Sequence, residues 1–378
     1  MILTFTPNPS VDRTIGVPHV HRGRVHQGTS SRIDPGGKGV NVARALSLHD
    51  AKAVAVIPIG GAEGRVLAGL LEESGVEVVG VPIAQPIRGN VTVTEPDGTT
   101  TKFNEPGPVL GGDERAELLG GVTAALSRSP RWLVCCGSLP GGLDDGFYAR
   151  VVDAGRRRGV PVAVDTSGAA LLRAARAGAD LLKPNAHELA EVHGRALTTL
   201  GDVVDAARAL LETAEPPSGA PATAQPASVA PPRAVLVSLG SHGAVLVTAG
   251  RPAVRAVAEP VVPRSTVGAG DALLAGYLYT RSASSTTAAD DAGGHAADDA
   301  GGHAADDAGS HDADDAGSHD VGGDHADGPN ELDALVAGVA WGTAAVRLPG
   351  SRMPGPDDVA GTRVRVEIDP DLDRHIHE

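Results

Sequence analysis

The chain has 378 residues, of which 41% are hydrophobic and 2% aromatic; this is enough for a buried core, with few aromatic side chains on which nucleic-acid bases could stack. The formal net charge is -15, but residues 281–330 hold twelve aspartates and one arginine, so the rest of the chain is nearly balanced and has no basic stripe. We expect a globular protein with no nucleic-acid partner and, since no stretch reaches about 18 consecutive apolar residues, no membrane partner.

Strand and helix signals alternate along the chain. Continuous apolar runs predict buried strands at 2–5, 53–59, 132–136, 162–165, 181–182 and 234–238. Apolar residues at helical spacing predict helices at 40–46, 66–74, 147–158, 203–213 and 332–346. The repeated strand-helix-strand order predicts an α/β fold, with a mostly parallel central sheet covered by helices on both faces.

Two segments interrupt this alternation, at 13–35 and 88–105. Both are more polar, and the second contains a Pro96-Asp97-Gly98 turn between two runs in which polar and apolar residues alternate. We interpret the two segments as a small β-sheet added to the main sheet. Ligands of parallel sheets bind beyond the carboxyl ends of the strands, so this small sheet is expected to act as a lid.

Two further segments have the composition of insertions. Residues 215–232 are rich in Pro and Ala, which is typical of a linker. Residues 281–329 contain an acidic eight-residue repeat with almost no large apolar side chain, which predicts disorder. Weak metal binding stays an alternative for this repeat, whose histidines are His295, His303, His311 and His319.

The cysteines, Cys135 and Cys136, are neighbours within an apolar run. This spacing does not fit a disulfide framework and favours small buried strand residues in a reducing compartment. The first residues also lack a basic segment followed by a long apolar run. We therefore expect a cytoplasmic protein.

Three short motifs carry polar side chains suited to a ligand, and two of them also contain glycines. "DPGGKGVNVARAL" (34–46) places Lys38 in a glycine turn before a helix, where an ammonium group suits a phosphate. "CGSLPGG" (136–142) directly follows a buried strand, at the edge where ligands bind. "KPNAHEL" (183–189) offers Asn185 and Glu188, whose oxygens suit either a magnesium hydration shell or a helix N-cap with a capping box.

A fourth motif, "STVGAGDALLAGY" (265–277), begins a helix with Gly268, Ala269 and Gly270. The exposed amides of such a turn favour an anion. Asp271 follows at once and would repel a phosphate, but a carboxylate beside an anion hole is suited to accept the proton of an attacking hydroxyl. We therefore interpret Asp271 as a general base, the alternative being an ordinary charge at a helix N-terminus.

Together these motifs resemble those of the PfkB, or ribokinase-like, carbohydrate kinases. "TPNPSVDRT" (6–14), "TKFNEPGP" (101–108) and "SLGSHGA" (238–244) accompany them in the family order. The resemblance extends to about residue 365 outside the two insertions. It implies a ribokinase-like fold with a small β-sheet lid, one kinase domain over 1–378 and a homodimer formed through the lid.

Within the family, the opening "TPNPSVD", the lysine of "GGKG" and "NEPGP" are most similar to the branch that phosphorylates fructose 1-phosphate and tagatose 6-phosphate. The resemblance implies Mg2+-dependent transfer of the γ-phosphoryl group of ATP to O6 of fructose 1-phosphate, giving fructose 1,6-bisphosphate. Tagatose 6-phosphate and fructose 6-phosphate remain alternative acceptors. A non-catalytic metal-binding protein, acting through the His/Asp repeat, is a remote alternative.

The resemblance also implies roles for individual residues. The catalytic loop is Gly268, Ala269, Gly270 and Asp271. The sugar-phosphate site contains Asp12, Gly37, Lys38, Asn41, Arg88 and Ser138, with Lys38 and Arg88 on the phosphate. The nucleotide side contains Asn185, Ser238, Gly240, Gly243, Thr266 and Val267, with Glu188 near the magnesium ion.

Overall fold

The structure is a computed structural model that describes residues 1–213, 233–290 and 331–376, with side chains for all of these except 284–290. The strands are β1 Ile2–Phe5, β2 Ser10–Gly16, β3 Ser30–Gly36, β4 Ala53–Ile59, β5 Glu77–Pro82, β6 Arg88–Thr94, β7 Thr100–Asn104, β8 Trp132–Cys136, β9 Val162–Asp165, β10 Leu181–Leu182, β11 Ala234–Ser238, β12 Ala244–Thr248, β13 Val254–Ala258 and β14 Val364–Ile368. The α-helices are α1 Lys38–Leu48, α2 Gly61–Glu73, α3 Gly112–Ala125, α4 Phe147–Arg157, α5 Gly168–Arg176, α6 Ala186–His193, α7 Leu200–Leu211, α8 Ala269–Asp290, α9 Glu331–Val346 and α10 Pro356–Val359.

The central sheet has the strand order β14-β13-β12-β11-β10-β9-β8-β1-β4-β5 in the described part of the chain. Neighbouring strands from β11 to β5 pair in parallel, and β11 to β14 pair antiparallel at one edge. The predicted α/β fold with a mostly parallel central sheet is confirmed. Parallel pairing brings the carboxyl ends of β1, β8, β9, β10 and β11 to one edge.

Helices α1, α2 and α7 begin earlier than the apolar spacing predicts, whereas α4 begins at the predicted residue. Helix α1 begins at Lys38, directly after Gly37, and α2 begins at Gly61. Helix α7 begins at Leu200, where the Thr199 hydroxyl accepts a hydrogen bond from the Asp202 amide and the Asp202 carboxylate accepts one from the Thr199 amide. This is the capping box typical of a helix N-terminus.

The core lies against the parallel strands. The ring of Phe5 contacts Phe147 and Tyr148 of α4, with ring centroids 6.1 and 6.3 Å apart. Cys135 and Cys136 are fully buried strand residues with free thiols, as expected, and burial raises the pKa of both. Among the described residues, no helix combines the length and apolarity needed to cross a membrane.

A separate four-stranded sheet has the order β3-β2-β6-β7. Its first strand begins at Ser10, slightly before the predicted segment. The predicted turn joins β6 to β7: the Gly98 amide donates to the Glu95 carbonyl at 3.0 Å, and Gly98 has a φ of 90°. The two polar segments therefore form one small sheet. Its strand β2 follows β1 of the central sheet along the chain.

Helix α8 corrects one predicted boundary. It continues to Asp290, so residues 281–290 belong to a helix rather than to the predicted disordered insertion at 281–329. Segment 215–232 and residues 291–329, including the repeat histidines, lie outside the described residues.

Candidate active site

The candidate site lies where β1, β8, β9 and β10 end. Asp165 is the last residue of β9, and Lys183 directly follows β10. Helix α1 joins these elements: its Lys38 contacts Asp165, and its Asn41 contacts Asp271 at the start of α8. Four distant parts of the chain therefore supply side chains to one place, as expected for an α/β fold whose ligands bind at the carboxyl edge.

The turn before α8 presents the predicted carboxylate. Gly268 has a φ of 80°, in the region that favours glycine, and a Cβ there would lie 2.4 Å from Cε of Met353. Asp271 stands in the first turn of α8 and is only 7% exposed. Its Oδ2 accepts a hydrogen bond of 2.8 Å from Nδ2 of Asn41, on α1.

Burial and charge act together on Asp271. Burial, followed by the negative charge of Asp165, raises its pKa to about 6. The hydrogen bond from Asn41 and the ammonium groups of Lys183 and Lys38 oppose this shift. The carboxylate is therefore poised to exchange a proton close to neutral pH, which is the property required of a general base.

The amides of the turn differ in their bonding. The Val267 amide donates to the Ser265 hydroxyl at 3.2 Å, and the Ala269 amide lies 3.4 Å from the Thr266 carbonyl. Thr266 and Val267 are exposed on the approach to the helix. Nζ of Lys183 lies 3.3 Å from the position that a Cβ on Gly270 would take. A group bound at this turn would therefore also lie close to Lys183.

A network of lysines and carboxylates adjoins Asp271. Oδ1 of Asp165 lies 2.8 Å from Nζ of Lys38, and Oδ2 lies 2.9 Å from Nζ of Lys183. Lys38 also lies 3.0 Å from Oε1 of Glu188. Burial alone would raise the pKa of the fully buried Asp165, but Lys183 and Lys38 hold it below its ordinary value. Asp165 is therefore a carboxylate at neutral pH.

Neither Asp165 nor Lys183 was singled out from the sequence. The available signals were the position of Asp165 at the end of a predicted strand and the scarcity of lysine, since Lys38 and Lys183 are two of four in the chain. Burial opposes the charge on Lys38, but Asp165 and Glu188 raise its pKa. The ammonium predicted to bind a phosphate is thus bound to two carboxylates in this structure.

Asn185 and Glu188 form the capping box that was the alternative to a metal site. Oδ1 of Asn185 accepts from the Glu188 amide at 2.8 Å, and Oε2 of Glu188 accepts from the Asn185 amide at 2.9 Å. Oε1 of Glu188 is the atom that contacts Lys38. The described residues contain no cluster of three or more His, Cys, Asp or Glu side chains arranged to hold a metal ion.

Three of the predicted sugar-phosphate residues lie on β2, on β6 and in the loop after β8, and the other three lie at the start of α1. Oδ1 of Asp12 accepts hydrogen bonds from the Ser10 hydroxyl at 2.7 Å and from Nδ2 of Asn90 at 2.8 Å. Arg88, at the start of β6, has its pKa lowered by burial, and its Nε is buried without a hydrogen-bond partner among the described residues. Ser138 is exposed and accepts a hydrogen bond of 3.2 Å from Nδ2 of Asn8.

The predicted nucleotide residues continue the site toward the antiparallel edge. The Ser238 amide donates to the Pro184 carbonyl at 3.2 Å, which joins the end of β11 to the segment before α6. Gly240 and Gly243 flank a short turn and have φ values of 58° and 85°. A Cβ on Gly243 would lie 2.0 Å from the Ala256 carbonyl oxygen, so only glycine fits there.

We expect the substitution Gly268→Ala to lower kcat at least about tenfold, because a side chain at this φ forces the turn to shift against Met353 and misplaces the amides. The control is Gly250→Ala, where φ is 71° and a Cβ would meet nothing within 4 Å. Steady-state rates of both variants test the role of the turn. Equal kcat values for the two would contradict it.

The fold and this site define a phosphoryl-transfer enzyme of ribokinase-like architecture. The model of the pfkB family carbohydrate kinases matches residues 7–297, and the chain belongs to this family. A protein from Rhodobacter capsulatus named 1-phosphofructokinase is 38% identical over 280 residues, which is 74% of this chain and 83% of that protein. A protein from Mycobacterium tuberculosis named ATP-dependent 6-phosphofructokinase isozyme 2 is 36% identical over 212 residues, 56% of this chain and 62% of its own length.

A solved structure gives the same result. The structure of phosphofructokinase-2 from Escherichia coli in complex with potassium has a TM-score of 0.72 and 28% sequence identity, covering 95% of this chain and 96% of that one. The family predicted from the motifs is therefore confirmed, and the chain is a sugar-phosphate kinase with ATP as its phosphoryl donor.

Proposed function

We propose that the protein transfers the γ-phosphoryl group of ATP to O6 of fructose 1-phosphate, giving ADP and fructose 1,6-bisphosphate. The observation that carries this proposal is the buried Asp271 at the glycine turn that begins α8, with a pKa raised to about 6 by burial and by the charge of Asp165. The relative from Rhodobacter capsulatus, which the chain matches over most of its length, supports fructose 1-phosphate as the acceptor.

In this mechanism the oxygen of the sugar hydroxyl attacks the γ-phosphorus while Asp271 accepts the hydroxyl proton. The bond between the γ-phosphorus and the ADP oxygen breaks in the same step. The hydrogen bond from Asn41 orients the carboxylate. The amides of Gly268 and Gly270, with that of Ala269, form the anion hole for the transferring group, and the helix dipole of α8 adds to their effect. Lys183 stands beside Gly270 and supplies further positive charge.

On the acceptor side, Arg88 and Lys38 bind the phosphate of the sugar and Asp12 binds its hydroxyls. The buried Nε of Arg88, without a partner among the described residues, supports a role in binding an anion. Ser138 stands at the rim, while Gly37 lets the backbone approach with a φ of 117°. The small sheet carries Asp12 and Arg88, which supports its role as a lid.

On the donor side, the turn at Gly240 and Gly243 and the neighbouring Asn185 and Ser238 line the path of ATP, with Thr266 and Val267 at its entrance. Asp165 and Glu188 fit a role toward Mg2+, because a single ammonium group already contacts an oxygen of each. Mg2+ is usually bound through one or two carboxylates together with substrate phosphates, so a larger protein cluster is not required. When bound, it would neutralise charge on the phosphates.

Fructose 6-phosphate is the second candidate acceptor, favoured by the relative from Mycobacterium tuberculosis, and tagatose 6-phosphate remains the third. Rates with ATP, Mg2+ and each of the three phosphosugars, followed through ADP release, test the choice. We expect the highest kcat/KM with fructose 1-phosphate. A higher value with either of the others would overturn the assignment.

We propose one kinase domain and a homodimer formed through the lid. Phe103 and Ile33 of the small sheet are exposed, at 61% and 38%, which supports a contact between lids. The buried free thiols of Cys135 and Cys136 are consistent with the proposed location in a reducing cytoplasm.

Arg88→Ala is expected to raise KM for the phosphosugar about tenfold or more while kcat changes little, since it removes a charge-assisted hydrogen bond to the substrate's phosphate. Arg13→Ala is the control, because Arg13 lies on the neighbouring strand β2 but is exposed. Steady-state titrations of the phosphosugar measure the effect. An unchanged KM in the Arg88 variant would place the phosphate elsewhere.

Activity should fall on the acid side of neutrality. A general base works only when unprotonated, so protonation of Asp271, whose pKa is raised to about 6, makes kcat/KM fall about tenfold per pH unit below that value. The kcat at saturating phosphosugar should fall as well, which separates Asp271 from ionisation of the free substrate. A flat kcat profile down to pH 5 would speak against Asp271 as the base.

A further inference from the structure

Lys38 connects the two halves of the proposed site. Its ammonium, assigned above to the phosphate of the sugar, contacts Asp165 at 2.8 Å and Glu188 at 3.0 Å. These are the two carboxylates assigned to the metal nucleotide. The ammonium proposed to bind the phosphosugar thus contacts the carboxylates proposed to bind the metal nucleotide.

The charges allow this ammonium to move. If Lys38 leaves, Asp165 keeps its contact of 2.9 Å with Lys183, and Glu188 keeps its hydrogen bond to the Asn185 amide. Neither carboxylate would then be left without a partner, which is the condition that makes a buried charge costly.

The two lysines differ in their freedom to move. The Lys38 side chain is 34% exposed, whereas that of Lys183 is 5% exposed. Lys38 is also the first residue of α1 and follows Gly37, so its flexible side chain starts at a helix end. Lys183 is enclosed and serves as the fixed partner of Asp165.

A divalent cation and the Lys38 ammonium cannot share the carboxylates without strong repulsion, since like charges at such distances oppose each other. A phosphosugar that draws the ammonium to its phosphate would remove this competitor. By linkage, a bound metal nucleotide that displaces Lys38 would in turn make the ammonium available to the phosphosugar.

We propose that Lys38 is an exchangeable counter-ion: it occupies Asp165 and Glu188 in the free enzyme, moves to the phosphate of the sugar, and thereby makes the two substrates bind synergistically. This inference rests on the proposed function for the identity of the phosphosugar. The contacts of Lys38 show that it occupies the two carboxylates, and its move to a phosphate rests on the role proposed above.

Calorimetric titration of the full chain with Mg2+ and a non-hydrolysable ATP analogue, with and without fructose 1-phosphate, tests the coupling. In the unaltered protein we expect fructose 1-phosphate to tighten nucleotide binding about fivefold or more. In Lys38→Met the affinity for the nucleotide should be the same with and without fructose 1-phosphate. The control Lys52→Met removes the same charge from an exposed lysine of the loop before β4 and should keep the coupling.

A second readout needs no sugar and no nucleotide. Mn2+ alone, followed by its paramagnetic resonance signal, should bind Lys38→Met more tightly than the unaltered protein, because the competing ammonium is gone. Equal or weaker Mn2+ binding would overturn the competition. Loss of the coupling in Lys52→Met as well would also contradict the proposal.

Glu188→Gln covers the case in which Lys38→Met does not fold, since glutamine also serves in a capping box. It removes one carboxylate partner of Lys38, so fructose 1-phosphate alone should bind more tightly to this variant than to the unaltered protein. Unchanged or weaker binding would overturn the exchange.

The outcomes separate this inference from the proposed function. If fructose 1-phosphate does not bind the unaltered protein, the acceptor assignment is wrong, and the titrations are made with whichever of the two other phosphosugars binds. If a phosphosugar binds but leaves nucleotide affinity unchanged, the proposed function stands and the exchange is wrong. If none binds, the proposed function fails, and the Mn2+ titration decides whether Lys38 competes for the carboxylates.

Discussion

Replacing Asp271 by Asn is expected to lower kcat at least about 100-fold while the affinities for both substrates stay nearly unchanged. Asparagine has almost the same shape but cannot accept the proton of the attacking hydroxyl. It can still pair with Asn41, the hydrogen-bond partner of Asp271. The loss should therefore fall on the chemical step, and kcat with calorimetric dissociation constants measures it.

The matched control is Asp113→Asn. Asp113 also stands in the first turn of a helix, α3, but it is exposed, whereas Asp271 is buried. Its variant should keep normal turnover. Turnover of Asp271→Asn within a few-fold of the unaltered protein would remove the residue from the role of base.

Asp271→Asn lowers activity but is not expected to lower stability. A carboxyl group whose pKa is raised on folding favours the folded state when protonated, and this contribution is lost as the pH rises through about 6. At pH 7.5 the ionised Asp271 therefore opposes folding, and the neutral asparagine does not. We expect the variant to be at least as stable as the unaltered protein at that pH, which is the trade of stability for activity common at active sites.

Asp165→Asn is expected to have the largest effect on stability, lowering the free energy of unfolding by about 3 kcal/mol. Asp165 is fully buried and is the carboxylate that pairs with Lys183, whose side chain is only 5% exposed. Its loss leaves a buried ammonium without a counter-charge, which costs more than the pair itself contributes. Urea unfolding followed by circular dichroism measures the difference.

Two controls frame this prediction. Asp153→Asn breaks a partly exposed pair with Arg156, at 2.7 Å within α4, and should change stability by no more than about 1 kcal/mol. Combining Asp165→Asn with Lys183→Met removes both buried charges and should recover part of the loss. A single Asp165 variant as stable as the Asp153 variant would mean that the network does not hold the strand ends together.

Much of the fold could be predicted because its signals are local. The apolar runs of β1, β4, β8, β9, β10 and β11 stand out from their neighbours, and these strands have the predicted bounds. Strand β5 was not predicted because it is half-exposed and contains Gly80. Strands β13 and β14 were not predicted because charged residues interrupt their apolar runs, the buried Arg255 in β13 and Arg365 and Glu367 in β14. Such strands at or next to a sheet edge take their pairing from the sheet rather than from a sequence pattern of their own.

Local contacts of the site could also be predicted from the sequence, whereas its long-range contacts could not. The capping box of Asn185 and Glu188 was visible as an alternative because its partners are three residues apart. The contacts of Lys38 were not visible, since they join residues 127 and 150 positions apart. The family motifs supplied the glycine turn and Asp271, whereas the neighbours that raise its pKa required the fold.

The most direct test of the account is the product formed from ATP, Mg2+ and fructose 1-phosphate, observed by phosphorus magnetic resonance. We predict equal amounts of ADP and of a sugar carrying phosphoryl groups on both C1 and C6, and the same reaction slowed at least about 100-fold by Asp271→Asn. No ADP with fructose 1-phosphate, together with rapid ADP release from fructose 6-phosphate or tagatose 6-phosphate, would contradict the proposed acceptor.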